Sequence, residues 1–177
     1  YYFDSKEGLY RSVLEYIVNF MKDGVNENII TMMSLAKDDS LSPAEARSLF
    51  LKAFTNMVKF ACGETSLPEM VEILLREQIS PSENSDILYP EFIMPMHKMF
   101  TYLFARATCQ NPEDKTVIME THSLLGQILI FKTHQGFLNK RLNIQNYTKE
   151  IDEITNIVLK HTNAILDSYS YKCGEKK

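Results

Sequence analysis

The side chains able to carry chemistry in this sequence are spaced against most of it. The four histidines, His97, His122, His134 and His161, are never three or four residues apart, so no single helix offers two imidazoles to one metal ion. Cys62, Cys109 and Cys173 are scattered, with no Cys-x-x-Cys spacing. That argues against a disulfide framework and a zinc finger, and the three are read as inert thiols in a reducing compartment. Nucleophile-elbow, P-loop, dinucleotide-fingerprint, HExxH and di-iron ExxH motifs are all missing. The expectation is therefore no catalytic residue, no metal and no cofactor. The run Arg76-Glu77-Gln78, beside Leu74 and Leu75, is the exception worth following. A charge partly buried on an apolar helix must be paired. It is either a structural ion pair or a polar anchor facing a pocket.

The elements that must position these residues read as helices. Ser5 is a good N-cap, and Leu9, Val13, Tyr16, Ile17 and Phe20 recur at spacings of three and four. This periodicity predicts one long helix from Ser5 to about Leu35, with Gly24 a weak point where it could bend. Ser42-Pro43-Ala44-Glu45 predicts a restart with a capping box, and that helix stops near Cys62-Gly63. Further helices are expected from Pro68 to about Gln78, from Asp86 to about Thr108, from Pro112 to between Phe131 and His134, and from Thr148 to Ser168. Pro95 should kink the second of these or delay its regular part. No period-two strand is credible, so the expected fold is all-α, with about six or seven helices.

Phe and Met gather on the middle helices. Phe54, Met57, Val58, Met94, Phe100 and Phe104 are candidates for an apolar pocket, with Arg76, Glu77, His97 and Gln127 as its polar groups. The same stripe could equally be plain core. In the last helix, Ile151, Ile154, Val158, His161 and Ile165 fall on a heptad pattern, and the preceding helix is apolar nearly all round at Leu124, Ile128 and Phe131. Two adjacent helices with more apolar surface than one core needs fit either the centre of a monomer or a four-helix interface in a homodimer.

Composition sets outer limits. The 177 residues suit about one domain, and with 45% hydrophobic and 24% charged residues wholesale disorder is excluded. A net charge of −4 makes a nucleic-acid surface unexpected within this segment itself. The longest apolar run, Leu124 to Phe131, is too short to span a bilayer, so no membrane partner is expected and the chain reads as cytoplasmic.

The opening string Tyr1-Tyr2-Phe3-Asp4-Ser5-Lys6-Glu7-Gly8-Leu9-Tyr10 resembles the end of the DNA-binding segment in TetR-family transcriptional regulators. Arg76-Glu77-Gln78, Ser80-Pro81, Leu88-Tyr89 with Pro95, and Leu124-Leu125-Gly126-Gln127 resemble the CecR-type subfamily. The resemblance implies a TetR-like bundle whose last two long helices form the dimer interface. It divides the chain into 1–10, the end of the helix-turn-helix and the start of the connecting helix, and 11–177, a ligand-binding and dimerisation domain. It implies operator DNA bound through a helix-turn-helix that mostly precedes Tyr1, with Tyr2 and Lys6 contacting phosphate. Asp4 departs from the commoner residues there and would weaken that contact. The implied function is a repressor released from its operator by a small, mostly apolar effector. The competing readings are a dimeric helical module that binds a protein helix, and a helical enzyme built around Arg76, Glu77 and His97.

Overall fold

The computed structural model describes residues 5–21, 27–38, 40–63, 68–170 and 173. All regular structure among them is helical: α1 (Lys6–Met21), α2 (Glu27–Lys37), α3 (Pro43–Cys62), α4 (Pro68–Ile79), the single turn α5 (Ser85–Leu88), α6 (Met94–Ala107), α7 (Lys115–Thr133), α8 (Gln135–Leu142) and α9 (Ile151–Ser168). None is long and apolar enough to cross a membrane.

The helix starts follow local chemistry. Ser5 Oγ accepts from the Gly8 amide at 3.0 Å, capping α1. At α3, Ser42 Oγ accepts from the Glu45 amide while the Glu45 carboxylate accepts from the Ser42 amide at 2.9 Å, the expected capping box with Pro43 in the first turn. The same helix ends where a Cβ on Gly63 would lie 2.2 Å from the Lys59 carbonyl oxygen, so only glycine fits.

Two expectations concern helix continuity. Within the span expected to be one helix from Ser5 to Leu35, the described residues form α1, which packs on α5 and the turn after it, and α2, which packs on α6; residues 22–26 between them lie outside the described residues. Gly24 lies outside the described residues. The predicted helix from Asp86 to Thr108 begins as α5, widens into a π-helical turn at Tyr89–Ile93, and becomes regular at Met94. Pro95 has no amide to continue an α-helical ladder, and the wide turn just before it absorbs the irregularity. Beyond α7, the chain turns at His134 and forms α8, which ends at Asn143 in the left-handed conformation.

α6 runs through the middle, packed by α3, α2 and α7, and α9 closes the far side against α3. The core centre is aromatic: Phe50, Phe54, Phe100 and Phe104 are all fully buried. Phe54 and Phe100 meet edge to face with centroids 5.2 Å apart. Polar ties hold the periphery. The Arg47 guanidinium donates to Asp167 and Asn163 of α9, both at 2.6 Å, and Arg106 donates to the carbonyls of Leu41 and Asp38.

One covalent tie overturns a reading of the sequence. Cys109 and Cys173 are not inert thiols: they are joined as a disulfide, with Cα atoms 5.3 Å apart. Their 64-residue separation hid the pair, since α7, α8 and α9 must fold back before the two ends meet. Cys62 is the free thiol, buried, and burial pushes its pKa up to about 11.

Candidate functional site: a cleft wired to the first helix

A cavity of about 530 Å³ opens between the end of α4, the π-helical turn, α6 and the start of α7. Glu77, Tyr89, Met94, His97, Tyr102 and His122 contribute to its walls. A smaller cavity of about 50 Å³ lies beneath, lined by Met57, Leu74, Phe92 and Leu125. Gln78 and His97 border both.

Glu77 is the most constrained group in the cleft. It is only 3% exposed, and burial by itself would raise its pKa. The Tyr10 hydroxyl donates to its Oε1 at 2.6 Å, while the Ser82 amide and hydroxyl donate to Oε2 at 3.1 and 3.0 Å. These donors, with the Arg76 charge nearby, hold the carboxyl below its ordinary pKa. Arg76 does not pair with it directly; its guanidinium lies 5.1 Å from the centre of the Tyr10 ring, a cation–π contact. Burial and the Glu77 carboxylate push the Tyr10 phenol up to about 12. The expected ion pair is thus replaced by hydrogen bonds from Tyr10 and Ser82 to Glu77, which also forms part of the cavity wall, while Arg76 faces elsewhere.

Across the cleft, the His97 and His122 rings stack with centroids 5.4 Å apart. Burial, then the neighbouring imidazole, lowers the His97 pKa. His97 therefore presents a neutral ring to the cavity at neutral pH. The sequence reading missed His122. Its signal was symmetry about a turn: His97 precedes Cys109 by twelve residues and His122 follows Gln110 by twelve, so an antiparallel α6–α7 pair brings them level. At the outer rim, Tyr102 donates to Glu113 at 2.9 Å.

The remaining expected pocket residues lie elsewhere. Phe54, Val58, Phe100 and Phe104 are 0–1% exposed and line neither cavity; they interdigitate in the core, where facing aromatic surfaces leave no room for a ligand. Gln127 also borders neither, and its shielded Oε1 has no hydrogen-bond partner. Arg76 borders a separate open groove between α4 and α8. Met57 reaches the small cavity, and Glu77, Met94 and His97 the large one.

The expected dimer residues divide similarly. Leu124, Ile128, Ile154 and Val158 are buried within the single chain. Phe131, Ile151 and Ile165 are half-buried and pack on the core, whereas His161 is exposed. The heptad stripe points inward because α9 covers α3 with it. The outer faces carry other apolar groups instead: Met119, Gly126 and Ile130 on α7, and Ile157 beside His161 on α9. Lys6 is exposed in the first turn of α1, and Tyr2 lies outside the described residues.

Residues 46–169 match the family described as the HTH-type transcriptional dual regulator CecR, C-terminal domain. The chain belongs to the CecR C-terminal domain family. It is also 28% identical, over 173 residues, to the HTH-type transcriptional dual regulator CecR of Shigella flexneri, a match spanning 97% of this chain and 77% of that protein. CecR proteins are TetR-family regulators, so the resemblance drawn from the opening string and the Arg76-Glu77-Gln78 stretch holds. The family is one of transcriptional regulators, not of enzymes. The matched region contains all of α4 to α9, and with them the cleft and the stacked histidines.

Proposed function

We propose that this chain is the effector-binding and dimerisation part of a DNA-binding repressor that a small, mostly apolar effector releases from its operator. The observation carrying this reading is the double role of Glu77, which belongs to the cleft wall and also grips Tyr10 on α1. Tyr10 stands one helical turn beyond Lys6, the residue that the family resemblance assigns to DNA phosphate. A molecule entering between α4 and α6 competes for the space that keeps Glu77 and Ser82 in place. Moving them shifts α1 and whatever it carries. The effector works as a switch to the extent that it prefers the displaced geometry, since equal affinity for both would shift nothing.

The cleft favours an apolar body with few polar points. Leu88, Ile93, Met94 and Ile118 supply the apolar surface, and neutral His97, Thr101 and Gln78 supply donors and acceptors. In the proposed homodimer, Met119, Gly126 and Ile130 of α7 and Ile157 and His161 of α9 face the same groups of a second copy about a two-fold axis. Gly126 has open space where a Cβ would stand, which lets another helix approach closely. The dimer sets two recognition helices in successive major grooves.

The test uses the full-length regulator and DNA fragments that it selects from its own genome. Compounds that release the DNA are collected by screening, and Met94→Trp, which fills the cleft, is then compared with the unsubstituted protein. Loss of release with DNA affinity retained supports the cleft as effector site; release unchanged overturns that placement.

A further inference from the structure

The disulfide stands beside the cleft. Cys109 sits in the turn between α6 and α7, in the left-handed conformation with φ of 55°. Three residues on, Pro112 and Glu113 form the cleft's outer rim, and Tyr102 donates to Glu113. Cys173 lies just past α9, whose Tyr169 ring meets Phe104 edge on at 5.9 Å and whose hydroxyl donates to Glu120 of α7. The bond therefore pins the rim turn to the end of α9. Both cysteines are half-buried, open to small thiols, unlike Cys62.

We propose that Cys109 and Cys173 are a reversible thiol–disulfide site that sets the order of the cleft's rim. A regulator of transcription works beside DNA, where glutathione and thioredoxin keep thiols reduced, and a disulfide there is ordinarily transient and responsive to oxidants. This inference rests on the proposed function for that compartment and for the meaning of the rim. The chemistry needs glutathione disulfide as oxidant. One cysteine thiolate attacks its S–S bond, forming a mixed disulfide and releasing one glutathione thiolate. The second cysteine thiolate then attacks the protein sulfur of that mixed disulfide and displaces the second glutathione. Two electrons pass from the cysteine pair to glutathione, and the two protons lost by the cysteines are taken up by the released thiolates. In the dithiol state nothing covalent holds residues 108–114 to the chain end, so the rim turn loosens.

The test needs neither DNA nor effector, so its failure is separable from that of the proposed function. The protein is equilibrated in glutathione buffers running from strongly reducing to strongly oxidising. The Cys109–Cys173 pair is followed by mass mapping after alkylation, with Cys62 as the unreactive internal reference. Amide hydrogen exchange is read over 108–114. The expected result is a closed pair in oxidising buffer and an open one in reducing buffer, with exchange over 108–114 at least about tenfold faster when open. The closed form should also melt about 10 °C higher, as befits a crosslink over 64 residues. Cys109→Ser and Cys173→Ser should each exchange like the open form in every buffer. A pair that stays closed in the most reducing buffer is a permanent staple, and that overturns the proposal. So does a pair that never closes, or one whose closure leaves exchange at 108–114 unchanged.

Discussion

The Tyr10 hydroxyl donates to Glu77 Oε1 across 2.6 Å and so joins the first helix to the wall of the cleft. The bond is charge-assisted, and its donor and acceptor each bias the other: Tyr10 is harder to deprotonate and Glu77 harder to protonate. Tyr10→Phe should lower stability by about 1.5–2 kcal/mol, the ordinary worth of a hydrogen bond to a charged group, read from urea unfolding. The Tyr10 pKa is raised by folding, so its contribution is complete below pH 10 and is lost as pH climbs to about 12. In the Phe variant, the phenol titrating near pH 12 should vanish from the absorbance curve. Its persistence would assign that titration to another tyrosine.

Glu77 has the opposite sign. Its folded pKa is depressed, so the stability it adds is present above the ordinary carboxylate range and lost as pH falls through its folded value. Glu77→Gln removes the charge but keeps the size, and should flatten the acid limb of stability measured between about pH 5 and pH 3. An unchanged acid limb would mean that other carboxylates govern it.

His97 carries a third pH dependence. Burial and the stacked His122 lower its folded pKa below the usual 6.5, so the folded state favours the neutral ring. That stability is complete above pH 6.5 and declines as the pH drops toward the folded pKa, where the unfolded chain takes up the proton first. A nuclear magnetic resonance titration should show the His97 ring protonating below the usual histidine value of about 6.5. His122→Ala should move the His97 midpoint upward, because it removes a like-charged neighbour and lets water in. A midpoint that stays put would exclude coupling between the rings.

Phe54 and Phe100 looked like pocket walls by residue type and prove to be core. Composition cannot separate the two, because a Phe/Met stripe serves either end, and the decision lies in what faces it across the helices. Here Phe50 and Phe54 of α3 meet Phe100 and Phe104 of α6, and the facing rings close the space. Phe100→Ala should accordingly cost about 3–5 kcal/mol in thermal or chemical unfolding, a core truncation with its cavity. A loss under 1 kcal/mol would show the site collapsing around the gap.

What could be read from the sequence was local. The Ser42–Glu45 capping box, the Ser5 cap and the delay at Pro95 each depend on residues within one or two turns, and each stands as expected. Tertiary pairing was not readable in the same way. Tyr10 meets Glu77 across 67 positions and Cys109 meets Cys173 across 64, and no periodicity reports such distances. The α8 helix escaped because Gly136, at its second position, reads as a breaker although a first turn tolerates it. The heptad on α9 was real, but a stripe fixes a buried face without saying whether α3 or a second chain covers it.

That last ambiguity gives a decisive pair of substitutions for the proposed dimer. Val158 lies on the inner face of α9 and is 1% exposed, whereas Ile157, its neighbour in sequence, is 37% exposed on the outer face. Val158→Ala removes core packing and should cost about 1–3 kcal/mol of stability, with the monomer–dimer equilibrium at a fixed temperature little changed while the protein stays folded. Ile157→Arg leaves the core intact but sets a charge, near the two-fold, against Met119 and Ile130 of the facing copy. Sedimentation velocity should then show a folded monomer, since burying an unpaired charge in an apolar interface costs more than the interface returns. A dimer that survives Ile157→Arg unchanged would place the contact on another surface, and the outer stripes of α7 and α9 would lose their assigned role.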